Sequence, residues 1–236
     1  MYLLLFIGGF IAAAISGAAG FGGALLLLPL LTQTIGPTMA VPVLTIAQLI
    51  GNLSRVYFGY KEIKWRPVAL FIIGAIPMSV IGALSFVNIP KEIVTKIIGV
   101  AVICFVILKH YQIIKFEGNK RTMIIGGSFV GLFSGLVGSA GPLGAALFLA
   151  LNLSPVSYIS SEAVTAVTMH IVKTIVYQKY LDIGLEALEL GLFIGVAMVA
   201  GTWAGKKVIE KLPKEIFVKG VTILLLIIGL ELVLYG

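Results

Sequence analysis

The sequence predicts an all-α integral membrane protein made of two four-run repeats, inverted relative to each other, each opening with a glycine-broken re-entrant helical hairpin. Three observations carry that expectation. Only 11% of the 236 residues are charged while 59% are apolar, and the mean hydropathy is +1.12; a soluble domain carries about 25% charged residues to cover its surface. Short motifs of the first half return in the second. The basic residues fall on one side of a membrane only if two of the apolar runs fold back. No soluble domain of useful size is left, so nucleic-acid binding and cytosolic catalysis are excluded as functions.

The apolar runs are Tyr2 to Leu31, Met39 to Gly59, Pro67 to Val87, Ile93 to Leu108, Met123 to Leu151, Val156 to Tyr177, Ala187 to Gly205 and Ile216 to Leu234. The longest polar stretch, 109–121, separates them into a first transmembrane repeat, 1–108, and a second, 122–236, with the stretch itself as a cytoplasmic linker. The N-terminal run superficially resembles a secretory signal with small residues at Ala12 to Ala14, but it lacks a basic leader, so it is read as part of the mature fold.

Duplication supports the cut. Ser16-Gly17-Ala18-Ala19-Gly20 returns as Ser134-Gly135-Leu136-Val137-Gly138 at an offset of 118, and Pro90-Lys91-Glu92-Ile93 returns as Pro213-Lys214-Glu215-Ile216 at an offset of 123. The difference places a short insertion around Gly205 to Glu210.

The first run of each half is too long for a straight crossing. Residues 1–31 as one helix would measure about 46 Å against a hydrocarbon core of about 30 Å. Each such run has a glycine cluster at its centre, Gly17 to Gly23 and Gly135 to Gly144, where helix propensity is poorest. If each run crosses once, the 17 Lys and Arg divide almost evenly, ten to seven. If each folds back, one face holds thirteen of the 17: Arg55, Lys61, Lys64, Arg66, Lys109, Lys115, Lys120, Arg121, Lys206, Lys207, Lys211, Lys214 and Lys219. Lys91, Lys96, Lys173 and Lys179 remain opposite. The positive-inside bias favours the hairpins, with both termini outside, and three full crossings then invert the second half.

Candidate site residues follow from that layout. A glycine turn that starts a helix offers unpaired N–H groups and a positive dipole end to an anion; this singles out Gly20, Gly22 and Gly23 in one half and Gly138, Ser139, Ala140 and Gly141 in the other. The plainer alternative is that these glycines only let helices pack closely.

A second candidate is a polar stripe, Thr45, Gln48, Asn52 and Arg55, spaced to share one helical face. Its counterpart is Glu162, Ala166, His170, Lys173 and Tyr177, and the 118 offset pairs Asn52 with His170 and Arg55 with Lys173. His170 is a candidate proton carrier or a satisfied structural histidine. Arg55 and Lys173 each lie about one turn from a run end, which favours snorkelling to the headgroups over contact with substrate. Glu162, near the start of its run, is expected at the interface.

Enzyme motifs are absent: there is no His-Glu-x-x-His, no Gly-x-Ser-x-Gly and no phosphate loop. With one cysteine, Cys104, and two histidines, neither a disulfide nor a cysteine- or histidine-rich metal site is expected, and no cofactor is implied. Tyr57, Tyr60 and Trp65 beside Lys61 to Arg66 look like an interfacial belt.

These motifs have an order that resembles the TauE/SafE family of sulfite exporters, also described as the four-toluene-sulfonate uptake type of permease. The likeness is carried by Ser16-Gly17 through Gly22-Gly23 to Pro29, by Gly59-Tyr-Lys-Glu-Ile-Lys-Trp65-Arg, by Gly74 to Gly82, by Phe133 to Gly141, by Asp182-Ile-Gly184 and by Leu212-Pro213-Lys-Glu. It spans essentially the whole chain. It implies a multi-pass plasma-membrane permease for small sulfur-containing anions such as sulfite or organosulfonates, with the lipid bilayer and the anion as partners, no nucleic acid, and homo-oligomer formation left open. The family often has Gly-Thr-Ser-like residues where this chain reads Val43 to Gln48, so Gln48 and Asn52 are expected to give this member its own selectivity. A passive anion channel and a non-transporting membrane assembly factor are the alternatives to a carrier.

Overall fold

Where the helices stop is set by glycine, by proline and by capping side chains. The computed structural model describes residues 1–19, 23–90, 119–138, 140–149, 151, 153–181 and 184–209, with isolated positions between 93 and 107 and between 223 and 234. Most of the expected fourth and eighth runs, most of the linker, Gly20, Gly22 and Ser139 therefore lie outside the described residues.

Helix α1 spans Tyr2–Ala19 and α2 spans Ala24–Gly59. Within α2, Gly36 has φ 76 and ψ 158, a conformation that only glycine adopts readily, and Pro37 follows it. The break divides α2 into a short arm, 24–35, and a long helix that starts on Pro37, a residue suited to a first helical turn. A 3-10 turn, Tyr60–Glu62, leads to α3, Trp65–Asn88. Helix α4 spans Lys120–Val137; Asn119 caps it by accepting the Thr122 N–H at 2.9 Å, and Gly138 ends it in the left-handed region at φ 82. The short α5, Gly141–Leu149, is followed by α6, Pro155–Tyr180, capped by Ser154, and by α7, Leu185–Ile209.

The described residues contain helices and turns and no strand, as an all-α membrane protein requires. Among the described residues, three helical segments are long and apolar enough to cross a bilayer: Leu26–Glu62, Trp65–Asn88 and Leu185–Gly205. Helix α6 is long enough but carries Ser157, Ser160, Ser161, Glu162, Thr165, His170 and Lys173, all buried, so its polarity faces protein rather than lipid.

The two glycine-broken runs double back. A side-chain carbon on Gly8 would meet Leu30 and Leu27, and one on Gly23 would meet Ala12, so α1 and the short arm of α2 lie antiparallel. In the same way Gly126 abuts Leu147 and Gly144 faces Val130, which makes α4 and α5 antiparallel. The boundaries Tyr2–Ala19 and Lys120–Val137 differ by 118 at both ends, and so do Pro37 and Pro155.

Packing between the halves is reciprocal. Along α4, Gly127, Gly131 and Gly135 face Phe71, Ala75 and Ser79 of α3 in parallel register. Along α7, Gly201 faces Phe10 and Gly205 faces Ala14 of α1, again in parallel. The first helix of each half thus lies on the third apolar run of the other, α1 on α7 and α4 on α3, with glycine letting backbone meet backbone.

Two glycines separate conformation from space. Gly36→Ala has open space around it, so any loss comes from the φ alone and is expected at about 1–3 kcal/mol. Gly131→Val meets the Ala75 backbone and is expected to cost about 1–3 kcal/mol or more through overpacking. Gly184→Ala, with nothing nearby, is the neutral control. Thermal unfolding of the three purified variants in detergent checks this ordering.

Candidate functional site

The polar stripe is where α2 and α6 cross. Gly59 lies against Ser160 and Val156, while Arg55 faces Glu162, so the two helices run antiparallel. The turn between α2 and α3 is tied to the start of α6: the Lys64 N–H donates to Ser161 Oγ at 2.9 Å, and Ser157 Oγ donates to Glu62 at 3.1 Å. These bonds fix the register of the crossing.

All four stripe residues of α2 are buried, Thr45, Gln48, Asn52 and Arg55, and so are Glu162, Ala166, His170, Lys173 and Tyr177 of α6. The helical spacing read from the sequence therefore identified two faces that the fold turns inward. Thr45 donates to the Val41 carbonyl and Asn52 Nδ2 to the Gln48 carbonyl, each at 2.8 Å. Several buried polar atoms have no hydrogen-bond partner among the described residues: Gln48 Nε2, Asn52 Oδ1, Arg55 Nε and Nη1, Glu162 Oε2 and His170 Nδ1. Leaving one such group unmet costs roughly 1–3 kcal/mol. Such atoms are concentrated at this crossing.

The two cations do not snorkel. Arg55 is 4% exposed and Lys173 is fully buried, which corrects the expectation drawn from their distance to the run ends. The reason is that each has an internal partner. Arg55 Nη1 lies 3.7 Å from Glu162 Oε2. Lys173 Nζ donates to the carbonyls of Gly138 at 2.7 Å and Ser134 at 3.2 Å, and Tyr177 OH donates to the Gly135 carbonyl at 2.8 Å. Lys173 and Tyr177 thus serve the negative end of α4, where carbonyls have no amide partners. Glu162, expected at the interface, is also buried, at 2% exposed.

Residues 162 and 173 are about 16 Å apart along α6, so the charged groups occupy opposite ends of the stripe, with Gln48, Asn52 and His170 between them. The α4–α5 turn joins the lysine end. Gly138 lies against Val41, one turn before Thr45, and its carbonyl is held by Lys173. Gly141 begins α5, and Gly23 caps the short arm of α2 against Ala12. The structure thus sets Gln48, Asn52, Arg55, His170 and Lys173 along one buried crossing, with Gly138 at its lysine end, and sets Gly23 in the hairpin of α1.

Sequence reasoning missed two roles. Glu162 gave a signal, an acid on the same face as His170 and Lys173, but nearness to a run end argued against it. Tyr177 stood on that face without an assigned partner. Among the described residues no three His, Cys, Asp or Glu side chains group to hold a metal ion.

The family described as sulfite exporter TauE/SafE is one whose sequence model matches, over residues 5–232. No curated protein and no solved structure matches the chain.

Lys173→Met strands two buried carbonyls at the end of α4, and hydrogen bonds to a charged group are worth about 1.5–3 kcal/mol each. Tyr177→Phe strands one carbonyl and is expected to cost about 1 kcal/mol. Denaturation of the two variants should therefore show the lysine loss to be at least twice the tyrosine loss. Equal losses would mean that the ammonium does not hold that end.

Proposed function

The chain belongs to the sulfite exporter TauE/SafE family, a family of membrane transporters, and from that premise we propose that it is a secondary transporter for small sulfur-containing anions. The proposed substrates are sulfite or an organosulfonate, and the proposed location is the plasma membrane. The observation that carries the reading is the set of unpartnered donors at the α2–α6 crossing, Gln48 Nε2 with Arg55 Nε and Nη1. Donors held on a buried helix face are complementary to an oxyanion, whose several acceptor oxygens meet them together.

The reading extends to both hairpins. The glycine turns near Gly23 and Gly138 to Gly141 supply the second part of the binding site, with Gly20, Gly22 and Ser139 as its proposed members outside the described residues. The two halves, 1–108 and 122–236, are proposed to be inverted in the membrane around the cytoplasmic linker 109–121, and alternating access follows from their rearrangement about the fixed site. Antiparallel arms within each broken run and the reciprocal seams α1–α7 and α3–α4 support that arrangement.

Thermal stability of the detergent-purified chain, followed against sulfite, sulfate, thiosulfate, sulfoacetate, taurine, phosphate and short carboxylates, tests the substrate class. A ligand at one hundred times its Kd stabilises by about 2.7 kcal/mol, so one sulfur anion is expected to raise the transition with concentration. Gln48→Leu is expected to reduce that affinity about tenfold or more. No shift with any sulfur anion would remove the assignment. In proteoliposomes, counterflow distinguishes a carrier, which accelerates labelled exchange from the opposite side, from an open pore, which does not. For topology, single cysteines at Thr34 and the termini should label from outside and one at Asn152 from inside.

A further inference from the structure

The buried acid of the crossing has no part in binding an anion. Glu162 and Arg55 are each 3% exposed at their side chains, and 3.7 Å separates Oε2 from Nη1. That separation gives charge attraction without a hydrogen bond, and both atoms are without a hydrogen-bond partner among the described residues. A carboxylate offers a guanidinium the same pair of oxygens that a sulfonate or sulfite offers. An oxyanion arriving at Arg55 therefore meets Glu162 as a competitor and, while Glu162 is ionised, as a like charge in surroundings that screen poorly.

Resting on the anion-transport reading above, we propose that Glu162 is the resident anion of the site and its proton carrier. With no substrate bound, its carboxylate holds Arg55. When a sulfur oxyanion takes Arg55, Glu162 accepts one proton from the aqueous face to which the site is open. The proton leaves again at the face where the anion departs and the carboxylate returns to the guanidinium. One proton therefore accompanies each anion, and no bond of the substrate changes.

The surroundings fit a single titrating acid. From α2 it is faced by Arg55. On its own helix Tyr158 lies one turn before it, while His170 and Lys173 lie beyond, Lys173 being held by α4. The turn packed on the start of α6 brings Glu62, which accepts from Ser157, with Lys61 beside it. Helix α5 carries no titratable residue; a side-chain carbon at Gly144 would lie 3.5 Å from Glu162 Oε1, so the glycine leaves the carboxyl room on that side. His170 is eight residues further along α6, about 12 Å along the helix axis, where the charges of Lys173 and Arg55 both act on it.

Proteoliposomes of the full chain, with sulfate and methanesulfonate as probes, decide the matter, because neither probe changes charge near neutral pH. In the wild type the half-saturating concentration should rise with pH by up to about tenfold per unit, as ionised Glu162 competes for Arg55. A pH dye in the lumen should report protons entering with the anion. Glu162→Gln should give a flat pH profile and no proton entry while exchange of labelled anion persists.

Should that variant fail to fold, the wild-type dye and pH measurements decide alone. A flat wild-type profile without proton entry overturns the role of Glu162 and leaves the transport reading standing. Absence of flux and binding for every sulfur anion at every pH overturns the transport reading itself, and this proposal with it.

Discussion

A helix that ends inside a membrane protein leaves its last carbonyls without amide partners, and with no water present a side chain must meet each of them. At the end of α4 this is done by Lys173 and Tyr177. A cation suits that place because the carbonyl end of a helix carries partial negative charge. The requirement reaches outward. It brings α6 against α4, sets Tyr177 beside Phe86 of α3 at 5.4 Å between ring centroids, and makes α6 too polar to count as a span by composition although it is one of the longest helices.

The same need for closeness explains where the glycines fall. The hairpin arms must press against neighbouring helices to bury their own backbone, and at the α3–α4 and α1–α7 seams a Cβ would strike carbonyl oxygens of the facing helix. At the α2–α6 crossing long polar side chains are buried instead, Gln48, Arg55 and Glu162, and Arg55 faces Glu162. That is also where unpartnered polar atoms collect.

Much of this was legible in the sequence because it is periodic. The polar faces of α2 and α6, the doubling back at the glycine clusters and the 118-residue return of Pro37 at Pro155 follow from spacing, which local geometry preserves. What spacing does not carry is the partner of a side chain. Arg55 and Lys173 look alike by offset and by distance from a run end, yet one faces an acid and the other a helix terminus. Snorkelling was the expected outcome for both because, on an isolated helix in lipid, reaching water is the cheapest solution. Neighbours that supply an opposite charge or bare carbonyls change that balance, and they come from segments more than thirty residues away.

The acid also breaks the likeness of the two halves. Arg55 matches Lys173 and Asn52 matches His170 at the 118 offset, but Glu162 matches Leu44, a fully buried aliphatic residue. One end of the stripe thus carries a cation with an acid beside it, and the other a cation whose hydrogen bonds go to a helix end. If the halves were electrostatically equal, an anion would meet the same attraction from either end. Arg55 has the Glu162 carboxylate 3.7 Å away, while the Lys173 ammonium is met by carbonyls of α4 and by no acid among the described residues. Two similar scaffolds thereby differ in electrostatics at their ends, because one carries a carboxylate where the other carries an aliphatic side chain.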